Sequence, residues 1–285
     1  MRICRFNSDR LGVIEGKEVL DVSEALKCIP AVTWPLPPGD LLIANLPQIM
    51  EEIDRLREEA KRLPLDSVKL SSPVANPSKI PAAPVNYLKH LAEAQANPET
   101  FHQQHVQKIH DVGLFLKSSS SLAGPVDGVR LRYAERRNDH EVELAVIIGR
   151  TADRVSREEA LDYVAGYAIG LDMTLRGGEE RSLRKSIDTY SVLGPWLVTA
   201  DEIKAPGNLD LELLVNGELR QRANTRDLVI DIPTLIEWAS SFYALHPGDV
   251  LMTGTPDGVG PVKPGDKVTA RCEGIGEMEI DISLA

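Results

Sequence analysis

The sequence predicts a mixed α/β fold in which strands predominate, preceded by a small N-terminal α+β domain. Short apolar runs that alternate with polar residues recur along the chain, and Gly- and Pro-rich turns separate them. One strongly amphipathic helix lies in the first quarter. Four prolines between residues 72 and 84 form a stiff connector. We therefore predict a small domain over residues 1–75 and a larger domain over residues 76–285.

Composition excludes several functions. The 285-residue chain has 42% hydrophobic residues, which is ordinary for a globular protein, and a net charge of −11, which argues against a nucleic-acid partner. Its scattered cysteines, Cys4, Cys28 and Cys272, show neither metal-binding nor disulfide spacing, as expected in a reducing compartment. No apolar run approaches the roughly 18 residues that span a bilayer. We expect a soluble cytoplasmic protein with no membrane partner.

The N-terminal region contains packing elements only. Met1–Phe6 and Leu11–Ile14 predict short strands around a polar turn. Residues Leu46–Leu63 predict a helix, because apolar side chains recur on one face while Glu and Arg fill the other. Nothing in these elements requires chemistry.

A histidine and a glutamate follow the connector. His90 and Glu93 are three residues apart, so they share one face of a helix. A carboxylate beside an imidazole can orient it and raise its basicity, which suits a general base. The alternative is an ordinary exposed His–Glu helix pair.

The next region is polar and rich in histidine. His102 and His105 have a spacing that could suit metal ligands, but a surface helix or lid over residues 92–114 is the preferred interpretation, because no second ligand cluster supports a metal. Lys117 then precedes a run of serines. This lysine can face a carboxylate group of a substrate, or can belong to an ordinary loop.

The stretch Glu141–Gly149 alternates along a predicted strand. Glu141 and Glu143 share one face, with about 6 to 7 Å between their Cα positions. Two neighbouring anions on a half-buried face repel each other unless a positive charge lies between them, and carboxylate oxygens suit Mg²⁺ or Mn²⁺. The alternative is a solvated strand face.

A third carboxylate ends another predicted strand, Val164–Leu171. Gly166, Ala168 and Gly170 alternate with larger residues there, so the face that carries Asp172 should be small and open. Asp172 can be a third oxygen ligand, or can simply end the strand or cap a helix.

The C-terminal third is rich in turns. Asn216-Gly217 predicts a type I′ hairpin, and Leu235–Leu245 predicts a helix. Residues 252–260 form a glycine-rich loop that lacks the P-loop order, although its glycines can let the backbone approach a ligand.

These motifs, in this order and spacing, resemble the fumarylacetoacetate hydrolase family from about residue 80 to the C-terminus. The motifs are Asn86-Tyr87-x-x-His90-x-x-Glu93, Glu141-x-Glu143 through Gly149, Gly166-Tyr167 with Asp172, Lys185-Ser186-x-Asp188-Thr189, Leu193-Gly194-Pro195-Trp196, and Thr253-Gly254-Thr255-Pro256 through Gly260. The resemblance, which is to bacterial acylpyruvate hydrolases and hydroxymuconate isomerases, implies a mainly β, sandwich-like roll, a homodimer, and Mg²⁺ or Mn²⁺.

By matching position, the resemblance also implies roles for individual residues. The metal ligands would be Glu141, Glu143 and Asp172, and the water-activating pair would be His90 and Glu93. Lys185 and Arg176 would hold negative charge on the substrate or transition state, and Thr255 would contact a substrate carboxylate or carbonyl.

The chain also departs from the family pattern. Asp139-His140-Glu141 stands where members often have Asp-Tyr-Glu, and Leu171-Asp172 where they often have Asn-Asp. The segment between Asp172 and Lys185 is shorter than in many members. That segment shapes the pocket, so the departures bear on the substrate rather than on the metal.

We therefore predict a metal-dependent hydrolase that cleaves a carbon–carbon bond in a small β-diketo acid of the acylpyruvate or fumarylpyruvate type, through an enolate, in aromatic catabolism. The same residues would also serve a decarboxylase or isomerase of oxaloacetate-like or hydroxymuconate-type acids. A third alternative is a non-catalytic protein that keeps only the fold.

Overall fold

The computed structural model describes residues 1–96 and 109–285. Much of the predicted lid over residues 92–114, together with His102 and His105, lies outside the described residues. The described strands are β1 Arg2–Phe6, β2 Arg10–Glu15, β3 Glu18–Asp21, β4 Lys61–Pro64, β5 Leu70–Ser71, β6 Ile80–Ala82, β7 Phe115–Lys117, β8 Leu122–Ala123, β9 Val129–Leu131, β10 Asn138–His140, β11 Val142–Ile148, β12 Val164–Asp172, β13 Thr174–Leu175, β14 Ser191–Thr199, β15 Asp210–Val215, β16 Glu218–Asn224, β17 Val250–Met252, β18 Gly260–Val262, β19 Lys267–Cys272 and β20 Gly276–Leu284. The described α-helices are α1 Leu41–Ala44, α2 Leu46–Leu56, α3 Leu88–Ala96, α4 Ile109–Val112, α5 Arg181–Lys185 and α6 Ile232–Phe242.

The predicted fold class, mixed α/β and mainly β, is confirmed. The largest sheet has the order β4-β3-β2-β1-β14-β12-β11-β17-β6-β7, with β5 paired to β1 and β8 paired to β14. A second sheet has the order β13-β10-β18, and a third has the order β16-β15-β19-β20-β9. None of the helices among the described residues is both long enough and apolar enough to cross a bilayer.

The N-terminal strands extend the largest sheet, since β1 pairs with β14 through Ile3 and Leu197. Helix α2 ends at Leu56, earlier than the sequence predicted, because the following residues form β4 and place Leu63 opposite Val19 of β3. This pairing with a distant strand overrides local helix preference. The division into residues 1–75 and 76–285 stays a prediction.

Strand β11 separates two hydrophobic cores. Val142, Leu144, Val146 and Ile148 belong to one core, and Ala145 and Ile147 belong to the other. The second core also contains N-terminal residues such as Leu11 and Ile53. The strand is therefore buried on both faces, whereas the sequence predicted one half-buried face. The sequence predicted too little burial for the face that carries Ala145 and Ile147, because the N-terminal elements cover that face.

The small residues of β12 make room for a neighbouring strand. Gly170 lies opposite Glu143, and a Cβ atom at position 170 would lie 2.5 Å from the Sδ atom of Met252. The face that carries Asp172 is thus small, as predicted, but Met252 of β17 packs against it. A side chain at position 170 would require the Met252 side chain to move.

The predicted hairpin turn is present, whereas one predicted helix has different ends. Asn216 and Gly217 both have positive φ, at 51° and 81°, as the predicted type I′ hairpin requires. Helix α6 begins three residues earlier than predicted, because the side chain of Asp231 accepts a hydrogen bond from the Thr234 amide and caps it. At α1, the buried Asp40 plays the same role for Ile43.

Candidate active site

Three buried carboxylates converge where β11 and β12 lie side by side. Glu143 pairs with Gly170 across the two strands, and the Asp172 amide donates a hydrogen bond to the Glu141 carbonyl at 2.9 Å. This register puts Glu141, Glu143 and Asp172 on one face of the sheet. One carboxylate oxygen from each residue lies within 4.8 Å of the other two, and each residue is at most 4% exposed. We call these three residues the acidic trio.

The acidic trio fits a hard divalent ion. Glu143 accepts a hydrogen bond from the Gly254 amide at 2.7 Å, and no cation among the described residues forms an ion pair with it. Burial and the nearby Asp172 raise the pKa of Glu143 well above its usual value. A Mg²⁺ or Mn²⁺ ion would supply the positive charge that this carboxylate lacks, and all three donors are the oxygens that such ions prefer.

Two buried lysines flank the trio. Lys185, at the end of α5, donates hydrogen bonds of 2.6 Å to Glu141 and to Asp172. Lys117, at the end of β7, contacts Asp172 and donates to the Tyr190 carbonyl at 2.8 Å. Burial lowers the pKa of Lys117, although Asp172 opposes that shift. Both ammonium groups therefore lie at the trio, where negative charge on a ligand would collect.

Arg176 holds the opposite side of Glu141. Its guanidinium donates to Glu141 at 2.9 Å and to Asp139 at 2.7 Å, and the Thr174 hydroxyl donates to the same Glu141 oxygen at 2.9 Å. Burial disfavours the charged form of Glu141, but Lys185 and Arg176 outweigh it and hold the pKa of Glu141 far below its usual value. Arg176 therefore contacts Glu141, a candidate metal ligand, directly.

The histidine–glutamate pair lies beside the trio. On α3, the Nδ1 atom of the buried His90 lies 3.0 Å from the Glu93 carboxylate, which also accepts the Gly258 amide at 3.1 Å. A carboxylate at Nδ1 favours the tautomer with its proton there and its basic lone pair on Nε2. His90 is also close enough to contribute to the low pKa of Glu141.

The glycine-rich loop closes the other edge of the site. The Thr253 hydroxyl donates to the Leu144 carbonyl at 2.9 Å, and the next amide, that of Gly254, holds Glu143. Thr255 follows and is 3% exposed, and its hydroxyl accepts a hydrogen bond of 2.9 Å from Gln221. The loop therefore fixes one metal-ligand candidate and one substrate-binding candidate at once.

The nine residues singled out from the sequence come together in this one region, and their individual roles stay predictions. Sequence reasoning missed Thr174, the Gly254 amide and Gln221, all of which hold the candidate residues in place. The position of Thr174, two residues after Asp172, was a weak indication that it belongs to the site. Nothing in the sequence indicated Gln221, since the residues on either side of it are charged and exposed.

The fold and this site define a metal-dependent enzyme. The family profile described as fumarylacetoacetate (FAA) hydrolase C-terminal matches residues 79–283. The chain belongs to the fumarylacetoacetate hydrolase family. A maleylpyruvate hydrolase from Aquipseudomonas alcaligenes is 57% identical over 287 residues, which cover 99% of each chain.

A solved structure has the same named activity, and a further relative has a different one. The solved structure of maleylpyruvate hydrolase from Sphingobium sp. SYK-6, in complex with manganese(II) and pyruvate, shares 42% identity with a TM-score of 0.84 and full coverage of both chains. A mitochondrial oxaloacetate tautomerase from Xenopus laevis is 39% identical over 220 residues, covering 73% of this chain and 65% of the relative. Members of this family therefore catalyse different reactions.

Proposed function

We propose that this protein hydrolyses a carbon–carbon bond in an acylpyruvate, with maleylpyruvate as the first substrate to test. The observation that carries the proposal is the His90–Glu93 pair beside the acidic trio, which joins a general base to a site for a keto acid. The full-length similarity to a maleylpyruvate hydrolase supports the substrate class. The enzyme is a hydrolase acting on ketonic carbon–carbon bonds, which fits aromatic catabolism.

We assign proton transfer to His90. Its Nε2 atom takes a proton from water, and the resulting hydroxide attacks the carbonyl carbon farther from the pyruvate carboxylate. Glu93 holds the imidazole by its Nδ1 atom and stabilises the imidazolium that forms. The bond between the attacked carbon and its neighbour then breaks, releasing a carboxylic acid and the enolate of pyruvate. The enolate takes up a proton to give pyruvate, so one water is consumed in each turnover.

Negative charge on the departing enolate requires nearby positive groups. Lys185 and Lys117 supply ammonium groups at the trio, and Arg176 holds Glu141 from behind. Thr255 offers a hydroxyl at the edge formed by the glycine-rich loop. When bound by Glu141, Glu143 and Asp172, Mg²⁺ or Mn²⁺ supplies a Lewis acid for keto and carboxylate oxygens.

The proposed function is tested by incubating purified, Mn²⁺-loaded protein with maleylpyruvate, fumarylpyruvate and a simple acylpyruvate. We expect stoichiometric pyruvate and carboxylic acid, with incorporation of one oxygen from labelled water into the acid. Turnover of oxaloacetate or of a hydroxymuconate analogue without hydrolysis of any acylpyruvate would contradict the proposal.

The alternative function is decarboxylation or isomerisation of an oxaloacetate-like or hydroxymuconate-type acid. The similarity to an oxaloacetate tautomerase supports this alternative function. In that reaction His90 and Glu93 would move a proton between carbon and oxygen instead of activating water. The labelled-water experiment separates the two, because isomerisation incorporates no solvent oxygen into an acid product.

We also propose that the enzyme is a cytoplasmic homodimer. The family resemblance supports the dimer, and the three free cysteines, two of them buried, support a reducing compartment. Light scattering should give twice the 31.3 kDa chain mass. Fractionation of the source cells should recover the enzyme with cytoplasmic markers, and a monomer or a different compartment would contradict these two proposals.

A further inference from the structure

We infer that Gln221 is a positioning residue that fixes the direction of the Thr255 hydroxyl hydrogen and thereby makes Thr255 a hydrogen-bond donor to the bound keto acid. Gln221 lies on β16 and is 1% exposed, while its neighbours Arg220 and Arg222 point outward and are exposed. A glutamine buried in an otherwise exposed stretch must satisfy its polar atoms within the protein.

All polar atoms of the Gln221 carboxamide have partners. The Oε1 atom accepts hydrogen bonds from the Val142 amide and from His140 Nδ1, each at 3.1 Å. The Nε2 atom donates to Thr255 Oγ1 and to the Pro256 carbonyl, each at 2.9 Å. The side chain therefore ties the start of β11 to the glycine-rich loop.

The orientation of this carboxamide is fixed by chemistry. The Val142 amide can only donate, so the atom that faces it must be the oxygen. The Pro256 carbonyl can only accept, so the atom that faces it must be the nitrogen. A flipped carboxamide would put oxygen against oxygen and nitrogen against an N–H group. The assignment of both ends of Gln221 therefore follows from its backbone neighbours alone.

Two consequences follow for the side-chain neighbours. Because Gln221 donates to Thr255 Oγ1, the hydrogen of that hydroxyl points elsewhere, and no described residue accepts it. Because Gln221 Oε1 only accepts, His140 carries a proton on Nδ1. Gln221 thus sets the proton positions of Thr255 and of His140 together.

The direction of the Thr255 hydroxyl hydrogen bears on which ligand group can bind beside it. Thr255 directly follows Gly254, whose amide holds Glu143 of the trio, so its hydroxyl lies at the edge of the site. A hydroxyl whose hydrogen has no acceptor among the described residues favours a carbonyl or carboxylate oxygen on the ligand. This inference rests on the proposed function, since it takes a keto acid as the ligand.

The test is a double-mutant cycle on pyruvate binding. Calorimetry on Mn²⁺-loaded protein at pH 8.5 would compare wild type, Gln221→Glu, Thr255→Val and the double variant. The introduced carboxylate accepts from Thr255, which turns the hydroxyl away from the ligand. We expect Gln221→Glu to weaken pyruvate binding about tenfold when Thr255 is present, and less than twofold in the Thr255→Val background.

Controls separate this inference from misfolding and from the proposed function. Gln48→Glu, on the exposed face of α2, should bind pyruvate like wild type. Gln221→Met, which removes the hydrogen bonds without adding charge, gives a second variant, and Mn²⁺ affinity reports an intact site. Equal weakening in both Thr255 backgrounds, or unchanged binding in both Gln221 variants, would overturn the inference. Acylpyruvate turnover by wild type judges the proposed function separately.

Discussion

At the scale of single residues, Glu141 and Glu143 differ because their neighbours differ. Lys185 and Arg176 both contact Glu141, whereas Glu143 receives only the Gly254 amide among the described residues. The pKa of Glu141 is therefore held low, and that of Glu143 is raised by burial. A divalent ion would change the environment of Glu143 most.

The ligand assignment is tested with Glu141→Gln. The amide removes one anionic donor and leaves Lys185 and Arg176 without this partner, so we expect Mn²⁺ affinity to fall at least about 100-fold and turnover to disappear. Equilibrium dialysis of Mn²⁺ and pyruvate release would measure both. Glu58→Gln, at an exposed position on the other side of the connector, is the matched control. A Glu141→Gln variant with normal metal binding would refute the assignment.

The base assignment is tested with Glu93→Gln. The amide keeps the size of the side chain but cannot stabilise the imidazolium of His90, so we expect kcat to fall roughly 100- to 1,000-fold with little change in Mn²⁺ affinity. Steady-state kinetics and dialysis would measure the two quantities. A parallel loss of kcat and of metal would instead indicate a structural role for Glu93.

The buried His140 predicts a pH-dependent stability. Burial lowers its pKa, with Gln221 opposing the shift, so the unfolded chain takes up a proton near pH 6.5 that the folded chain does not. The contribution is fully present above that pH and is lost as the pH falls. We expect wild type to lose about 1 kcal/mol per pH unit more than His140→Asn, which retains an N–H donor.

Urea unfolding at pH 7.5 and pH 5.5, with EDTA in every sample, measures this difference without a contribution from metal release. The His140→Asn variant has a lower baseline stability because it lacks the ring, so the change with pH is the relevant quantity. Identical changes in both proteins would show that His140 does not titrate on unfolding.

Local patterns revealed the trio, whereas the residues that support it required the fold. Alternation marked Glu141 and Glu143 because both lie on one strand. The small residues of the next strand marked Asp172 as a possible third ligand, and the family resemblance favoured that role. Gln221 contacts His140 and Thr255, which are 81 and 34 residues away in sequence. No periodicity reports such contacts, since strand register decides them.

At the scale of elements, strand β11 and helix α2 show what sequence predicts well and what it does not. The alternation from Val142 to Ile148 predicted the strand itself, but its second buried face depended on N-terminal residues far away in the chain. Similarly, residues 57–63 have helical composition, yet Leu63 pairs with Val19 in the sheet. Element type followed local pattern, and element ends followed tertiary pairing.

Two helix caps should differ in their contribution to stability. Asp40 caps α1 through the Ile43 amide and also accepts the amides of Ala75 and Asn76, at 2.8 and 3.0 Å, while it is 3% exposed. Asp231 accepts one amide at the start of α6, and its side chain is 45% exposed.

We expect Asp40→Ala to lower the free energy of unfolding by about 3 kcal/mol and Asp231→Ala by about 1 kcal/mol. The larger value follows because three amides, those of Ile43, Ala75 and Asn76, lose their acceptor when Asp40 is removed. Urea denaturation at pH 7.5 would measure both. Equal effects would mean that the contacts to Ala75 and Asn76 contribute nothing beyond the cap.

At the scale of the whole molecule, the site lies where the two cores meet. One core packs against Val142 and Leu144, and the other packs against Ala145 and the N-terminal elements. Glu143 lies on the same strand, and its side chain shares a face with Ala145. Occupation of the acidic trio by a metal should therefore stabilise the packed sheet as a unit, because the candidate ligands belong to its central strands.

Mn²⁺ at about 100 times its dissociation constant should stabilise the folded chain by about 2.7 kcal/mol and raise Tm by roughly 5 to 10 °C. EDTA should reverse the shift. Asp172→Asn, which removes one ligand, should largely abolish it. Differential scanning calorimetry would measure the change, and an equal shift in the variant would show that Mn²⁺ acts at another place.

The pairing of Lys117, Lys185 and Arg176 with the acidic trio has a practical consequence. Because the polypeptide carries its own counterions for most of this charge, we expect it to fold before it acquires an ion. Manganese supply would then control how much of the enzyme is active, not how much of it accumulates. Cells starved of the ion would contain folded but inactive enzyme. This enzyme would become active as soon as the metal is taken up, without new protein synthesis.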